Sequence, residues 1–324
     1  MRTLFERTRA YGLLKREKEE NKLFHAYLLL LDDSRNLRFA LKTFAKVLFS
    51  CEGENTPEKE RLASRIESES FSDCLFYPEV GKKFSVDDAE RIAEESSIRP
   101  VEGERKVFVV GNFAEATPQA QNKLLKLLEE PPEGVVFLLG ATTAFPILST
   151  VLSRVSKLEI PPFEQGEIAH CLSRTYGNKY TPSELSLAAA TCGGSLGLAQ
   201  NLLEGGRFQG LADDAFALAT ATLATLPALV KKIGETKDKK PLLSFLRIVF
   251  RDALVLKTGL KKENLLLKSE EKRLARVANK YTLSALVYAQ ECLTEAEKQV
   301  YFNAVFGQCI ELCLVKILKR NQEE

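Results

Sequence analysis

A parallel α/β domain followed by all-helical sequence is the fold class predicted for this chain, and three observations predict it. Short apolar runs rich in branched residues alternate with segments of helical period through the first half of the 324 residues. The alternation stops at Pro161-Pro162, and from residue 164 onward the periodicity is helical throughout. A glycine pair at 205–206 then divides the helical half. The expected domains are an α/β domain over 1–163, a small helical domain over 164–207 and a helical C-terminal domain over 208–324.

The elements follow in order. Residues 1–20 have the charge and apolar spacing of a short amphipathic helix, and "AYLLLLD" (26–32) is a compact apolar run suited to a buried parallel strand. In "RFALKTFAKVLFS" (38–50), Phe39, Leu41, Phe44, Ala45, Val47 and Leu48 recur at helical spacing. Residues 52–72 are polar and predict a charged helix, and "CLFYPEV" predicts a second strand. "SVDDAERIAEESSIRP" opens with a Ser/Asp capping start and closes at Pro100. "RKVFVVGN" (105–112) is a third strand, rich in valine. "TPQAQNKLLKLLEE" (117–130) begins with Thr and Pro in N-cap and first-turn positions and stops at Pro131-Pro132. "GVVFLLGAT" (134–142), "FPILSTVLSR" and "SKLEIPP" (156–162) then read as strand, short helix and strand. Helices are expected at about 164–176, 182–191 and 195–204, and about five more over 208–320, with a charged connector at 234–240.

Composition bounds the function. A net charge of +2 makes the whole chain a poor polyelectrolyte, so any nucleic-acid contact is a local patch. No apolar run reaches the ~18 residues of a membrane span, and the N-terminal segment is too charged for a signal peptide. Seven cysteines, an odd number without a C-x-x-C pair, point to free thiols in a reducing cytoplasm. Cys309 and Cys313 share a face of an apolar helix and are expected as buried core thiols. The two histidines, His25 and His170, offer no ligand cluster, so no metal is expected.

"QNKLLKLLEEPPEGVVFLLGATT", followed by "STVLSRV", resembles the clamp-loader branch of the AAA+ proteins, with their N-A-L-L-K-x-L-E-E-P-P helix, following strand and S-R-C motif. Asn122, Leu124, Leu125, Lys126, Leu128, Glu129, Glu130, Pro131, Pro132, Phe137, Thr150, Ser153 and Arg154 carry the resemblance, and Val155 stands where the family has cysteine. "HAYLLL" (25–30) resembles the family's H-A-Y-L-F strand. The resemblance covers 21–205 and is architectural beyond. It implies a AAA+ sheet domain, a helical lid and a helical collar for the three domains.

The departures from that family carry the functional reading. Where the family has a G-x-x-x-x-G-K-T phosphate loop, "LDDSRNLRF" (31–39) has no glycine, Leu37 at the lysine position, and Asp32 and Asp33 where phosphate would lie. The acidic pair expected after "KVFVV" is Gly111-Asn112, and Leu198 replaces the family's nucleotide-sensing arginine. The losses are most similar to the delta-prime type of subunit, which implies no bound nucleotide and no ATPase. Only Cys51 remains near the family's four-cysteine zinc module, so zinc is expected to be absent.

Of the ATPase motifs, Ser153 and Arg154 remain. The resemblance implies that Arg154 acts as an arginine finger, positioned by Ser153, on the ATP of a neighbouring gamma/tau subunit in a ring of five that also holds delta. It further implies work on a sliding clamp and primed template DNA, for which Lys82, Lys83, Arg91 and Arg99 are candidate phosphate contacts. By residue type alone, Arg154 and each of those four read as ordinary surface charges, and the basic residues at 231–232 and 237–240 as loop charges. Two alternatives stand beside this reading: a gamma/tau-like ATPase with a nucleotide site of unfamiliar sequence, and a AAA-like interaction protein outside replication.

Overall fold

The computed structural model describes residues 1–51, 56–206, 208–236, 238–261, 264–301 and 304–323. They form two compact units, Met1–Pro162 and Phe163–Glu324.

The first unit opens with two short helices, α1 (Arg2–Glu6) and α2 (Arg9–Glu19), where one was expected over 1–20. Thr8 is the cause. Its backbone is extended and its hydroxyl accepts the Tyr11 N–H, which ends one helix and caps the next. The alternating elements follow as β1 (Ala26–Leu31), α3 (Leu37–Leu48), α4 (Pro57–Glu67), β2 (Cys74–Tyr77), α5 (Val86–Ser96) and β3 (Lys106–Val110). They continue with α6 (Pro118–Glu129), β4 (Val135–Ala141), α7 (Ser149–Leu152) and β5 (Ser156–Ile160).

All four strand pairings are parallel, in the order β2-β3-β4-β1-β5. Every residue of β3 and β4 is buried, as a parallel strand covered on both faces requires. On one face, α6 contributes Ala120, Leu124 and Leu128 and α5 contributes Ala89 and Ile92 to a core with Phe108, Phe137 and Val151. Local chemistry sets the helix starts: Thr117 caps α6 ahead of Pro118, and Ser85 with Asp88 forms a capping box on α5.

The second unit is helical throughout: α8 (Gln165–Tyr176), α9 (Pro182–Thr191), α10 (Leu196–Glu204), α11 (Phe208–Thr220), α12 (Leu226–Ile233), α13 (Lys239–Lys257), α14 (Glu271–Lys280), α15 (Leu283–Tyr301) and α16 (Phe306–Arg320). From residue 208 onward the described residues hold six α-helices where about five were expected. The extra break is a turn in which Thr222 and Thr225 each bind the other's backbone N–H through their hydroxyls. Leu202 of α10 belongs to the same buried cluster as Phe216, Phe245, Phe250 and Leu314 of the later helices. Lys231 and Lys232 end α12, and Lys239 and Lys240 begin α13, so these four charges sit on helix ends rather than in loops. Lys237 lies outside the described residues.

All seven cysteines are buried and free, Cys309 and Cys313 within α16 as expected. No helix among the described residues is long and apolar enough to cross a membrane.

In the first unit, the fully buried Asp73 carboxylate accepts the N–H groups of Val101 at 2.7 Å, Glu102 at 2.8 Å and Gly103 at 2.7 Å. Removing the acceptor strands those donors. Asp73→Ala is therefore expected to destabilise the first unit by at least about 2 kcal/mol, seen as a lower urea midpoint for its unfolding.

Candidate functional site

Two places in the first unit hold several of the residues singled out in the sequence. One is the segment between β1 and α3, together with the end of β3. Leu37, at the position of the family's phosphate-binding lysine, is the first residue of α3 and is buried. Asp33 is turned inward and buried, and both its oxygens are engaged by Asn36: Oδ1 accepts the Asn36 N–H at 3.1 Å and Oδ2 the side-chain amide at 2.8 Å. A carboxylate of the chain thus sits at the N-terminus of α3, where a helix otherwise attracts an anion. Asp32 is exposed.

The neighbouring side chain, Arg38, was not singled out in the sequence. Its Nε donates to Glu69 Oε1 at 2.6 Å, its second terminal nitrogen pairs with Glu69 Oε2, and Nη1 donates to the Pro78 carbonyl at 2.9 Å. The guanidinium also lies over the Phe76 ring, 5.6 Å from its centroid, and Lys42 adds a 3.0 Å ion pair to Glu69. A Cβ placed on Gly111 would come 3.8 Å from Arg38 Nη1, so this cation borders the end of β3 where the family's metal-binding acids stand. Gly111 donates its N–H to the Tyr77 carbonyl, and Asn112, in the left-handed region at φ 50°, spends its side-chain amide on Glu115. These residues do not fit a magnesium-nucleotide: the helix start already has its anion, a guanidinium borders the metal position, and Gly111-Asn112 supplies no carboxylate.

Leu198 lies in the second unit, half-buried in the first turn of α10, its N–H held by the N-cap hydroxyl of Ser195. Its apolar side chain cannot pair with phosphate.

The other place is the end of α7. Arg154 follows this one-turn helix, and its Nη1 donates to the Thr150 carbonyl at 2.8 Å and the Ser153 hydroxyl at 3.0 Å. Its Nη2 pairs with Glu129 Oε1 at 2.8 Å, from the last residue of α6. The Ser153 hydroxyl itself donates to Thr150 O at 3.1 Å, so Ser153 and Arg154 share one carbonyl anchor. The Arg154 side chain is 35% exposed, enough to be reached from outside. Val155, at the family's cysteine position, is buried in the apolar core of the first unit.

The remaining candidates are scattered. Lys82 pairs with Glu79 at 2.7 Å and Lys83 with Glu115 at 3.5 Å, while Arg91 and Arg99 are exposed. His25 bonds the Leu128 carbonyl at 2.9 Å with its ring tilted against that of Phe24, centroids 4.2 Å apart, and His170 is exposed. Among the described residues no group of three or more His, Cys, Asp or Glu could hold a metal ion.

The five-stranded parallel sheet, in the order β2-β3-β4-β1-β5 with helices covering it, is followed by a wholly helical unit. Residues 6–164 match the family described as "DNA polymerase III, delta subunit". The chain is 29% identical over 168 residues to the DNA polymerase III subunit tau/gamma of Haemophilus influenzae, covering 51% of this chain and 24% of that protein. It is also 29% identical over 157 residues to the DNA polymerase III subunit delta' of Bacillus subtilis, covering 48% of each. The match thus spans less than half the length of these curated relatives. A solved structure of a gamma subunit-related protein from Thermotoga maritima aligns over 96% of this chain and 98% of its own, at 20% identity and a TM-score of 0.42. The first unit is thus similar to DNA polymerase III clamp-loader subunits of both the delta' and the tau/gamma type.

The Arg38–Glu69 pair makes a test of the filled site. Arg38 first, then Lys42, holds the Glu69 carboxyl below its ordinary value of 4.5. A carboxyl depressed in the folded state stabilises the fold above its unfolded pKa, and that stability is lost as pH falls through the folded one. Glu69→Gln is expected to lower the thermal midpoint at pH 7, and the gap to wild type is expected to close as pH drops below about 4.

Proposed function

We propose that this chain is a non-catalytic, delta-prime-type subunit of a DNA polymerase III clamp loader that contributes Arg154 in trans to ATP held by a neighbouring gamma/tau-type subunit. What supports this reading most is a contrast within one unit. The chain's own nucleotide position is filled by Arg38, Glu69 and Asp33, yet the arginine that would act on a neighbour's ATP stands at the surface just past the end of a short helix. A guanidinium so used neutralises charge developing on the transferred phosphoryl, an effect of roughly 10³–10⁵ in rate, or about 4–7 kcal/mol. Ser153 then serves as the finger's local anchor through their shared contact with Thr150.

The same reading takes the first unit as the AAA+-like domain and the second as a lid over 164–207 and a collar over 208–324. Its partners are gamma/tau and delta subunits in a five-membered ring in the cytoplasm, with the sliding clamp and primed DNA engaged through the complex. Lys82, Lys83, Arg91 and Arg99 are its candidate phosphate contacts.

Arg154→Ala is expected to leave the fold of the chain unchanged and to lower DNA- and clamp-stimulated ATPase of a complex reconstituted with gamma/tau and delta by about 10³-fold or more at the affected site. Turnover equal to wild type in that complex would sink the reading.

A second measurement addresses the chain alone. Titrated with ATP and magnesium, it is expected to show no saturable binding in the micromolar range. Saturable binding there would move the chain to the gamma/tau-like ATPases.

A further inference from the structure

We infer that Gln121 is a positioning residue for Arg154, acting through the start of α7. This rests on the reading that Arg154 works in trans. Gln121 sits on α6 with 1% of its surface exposed, and every polar atom of its amide is used. Its Nε2 donates to the Ala116 carbonyl at 3.1 Å and the Pro146 carbonyl at 3.2 Å, and its Oε1 accepts the Leu148 N–H at 2.9 Å.

Leu148 is the N-cap of α7, a position where a Ser, Thr, Asp or Asn would normally supply a side-chain acceptor, and leucine supplies none. What holds the helix start is an amide from another helix. From there a short relay reaches the finger. The Leu148 carbonyl accepts the N–H groups of Val151 and Leu152, both at 3.0 Å, and the Val151 carbonyl accepts the Arg154 N–H at 2.9 Å. Two backbone steps therefore separate the amide of Gln121 from the backbone of Arg154.

A four-residue helix has too few internal bonds to fix its own orientation. Val151 and Ile147 bury apolar side chains and keep α7 on the core, but apolar contact is non-directional. The hydrogen bonds of Gln121 to Pro146 and Leu148 add direction. They set where the helix begins, which decides where its last turn points the guanidinium. A misplacement of about 1 Å at a reacting group costs up to about 10²-fold in rate. Gln121 touches no substrate, so its effect passes through Arg154.

Gln121→Met keeps the length and apolar bulk of the side chain and deletes its hydrogen bonds. By hydrogen exchange on the isolated chain, the amides of residues 147–154 are expected to exchange faster than in wild type while those of β4 keep their protection. Unchanged exchange at 147–154 overturns the positioning role whatever Arg154 does. In a complex reconstituted with the ATPase subunits, Gln121→Met is expected to lower kcat by up to about 10²-fold with KM for ATP unchanged. Added to Arg154→Ala, it is expected to cause no further loss. An equal fractional loss in both backgrounds would mean that Gln121 serves general stability, and would overturn the inference. Wild-type turnover of Arg154→Ala removes the underlying reading instead, and the exchange data then decide alone whether Gln121 sets α7. Gln121→Asn, which keeps an amide but withdraws it by one methylene, carries the same pair of expectations if Gln121→Met does not fold.

Discussion

The docking of one helix on the sheet is the constraint on which the Arg154 site depends. Helix α6 buries Ala120, Leu124 and Leu128 against Phe108 and Phe137, and the area lost to water fixes its height and rotation over the strands. With that face committed, its remaining side chains become fixed points for other elements. Gln121 holds the start of α7, Lys123 reaches Glu90 on α5 at 2.8 Å, and Glu129 meets Arg154. The Leu128 carbonyl is joined to His25, just ahead of β1. Each of these polar contacts is modest by itself. They act together because the helix that carries them cannot turn without exposing its apolar face.

The same logic separates what could be read from the sequence from what could not. Leu124 and Leu128 announce a helix face because their spacing is local, and Thr117-Pro118 and Pro131-Pro132 mark its ends by local chemistry. The strands β3 and β4 are legible for the same reason, as runs whose apolar character has no gaps. Gln121 carried no such signal. A polar residue in the first turns of a helix fits solvent as well as a buried amide, and its partners lie 25 and 27 positions away at Pro146 and Leu148. Arg38 was hidden in the same way, since Glu69 is 31 positions distant and reaches it through the fold alone. The sequence shows that residues 31–39 lack a phosphate-loop pattern, but not the contacts that Asp33 and Arg38 make there.

That replacement has a physical consequence. A phosphate loop leaves a gap in the protein's own bonding, filled by nucleotide and metal when they bind. Under the proposed reading, the chain fills that gap with its own charges: Asp33 at the helix start, and Arg38 with Glu69 beside the end of β3. Restoring an acid at Gly111 would set a carboxylate beside Arg38 before any metal arrived, and the pair would form internally. Single substitutions toward the family's pattern are therefore not expected to build a nucleotide site. The charges that now complete the fold would have to leave together.

Arg154 differs from Arg38 in how firmly it is held, and the difference bears on what each can do. Arg38 is bound by both Glu69 oxygens, the Pro78 carbonyl and a ring face, with a quarter of its side chain exposed. Pulling it away would leave Glu69, itself partly buried, with only Lys42 as partner. Arg154 has one carboxylate, Glu129, which is 46% exposed and is solvated when released. An ion pair of that kind contributes about 1 kcal/mol or less. Under the proposed reading, the charge developing on a neighbour's phosphoryl offers several kcal/mol, so exchanging Glu129 for it is favourable. The hydroxyl of Ser153 and the carbonyl of Thr150 bind the other side of the guanidinium and need not be given up in that exchange. A guanidinium anchored on one side by neutral groups and weakly paired on the other is suited to act on a group outside its own chain.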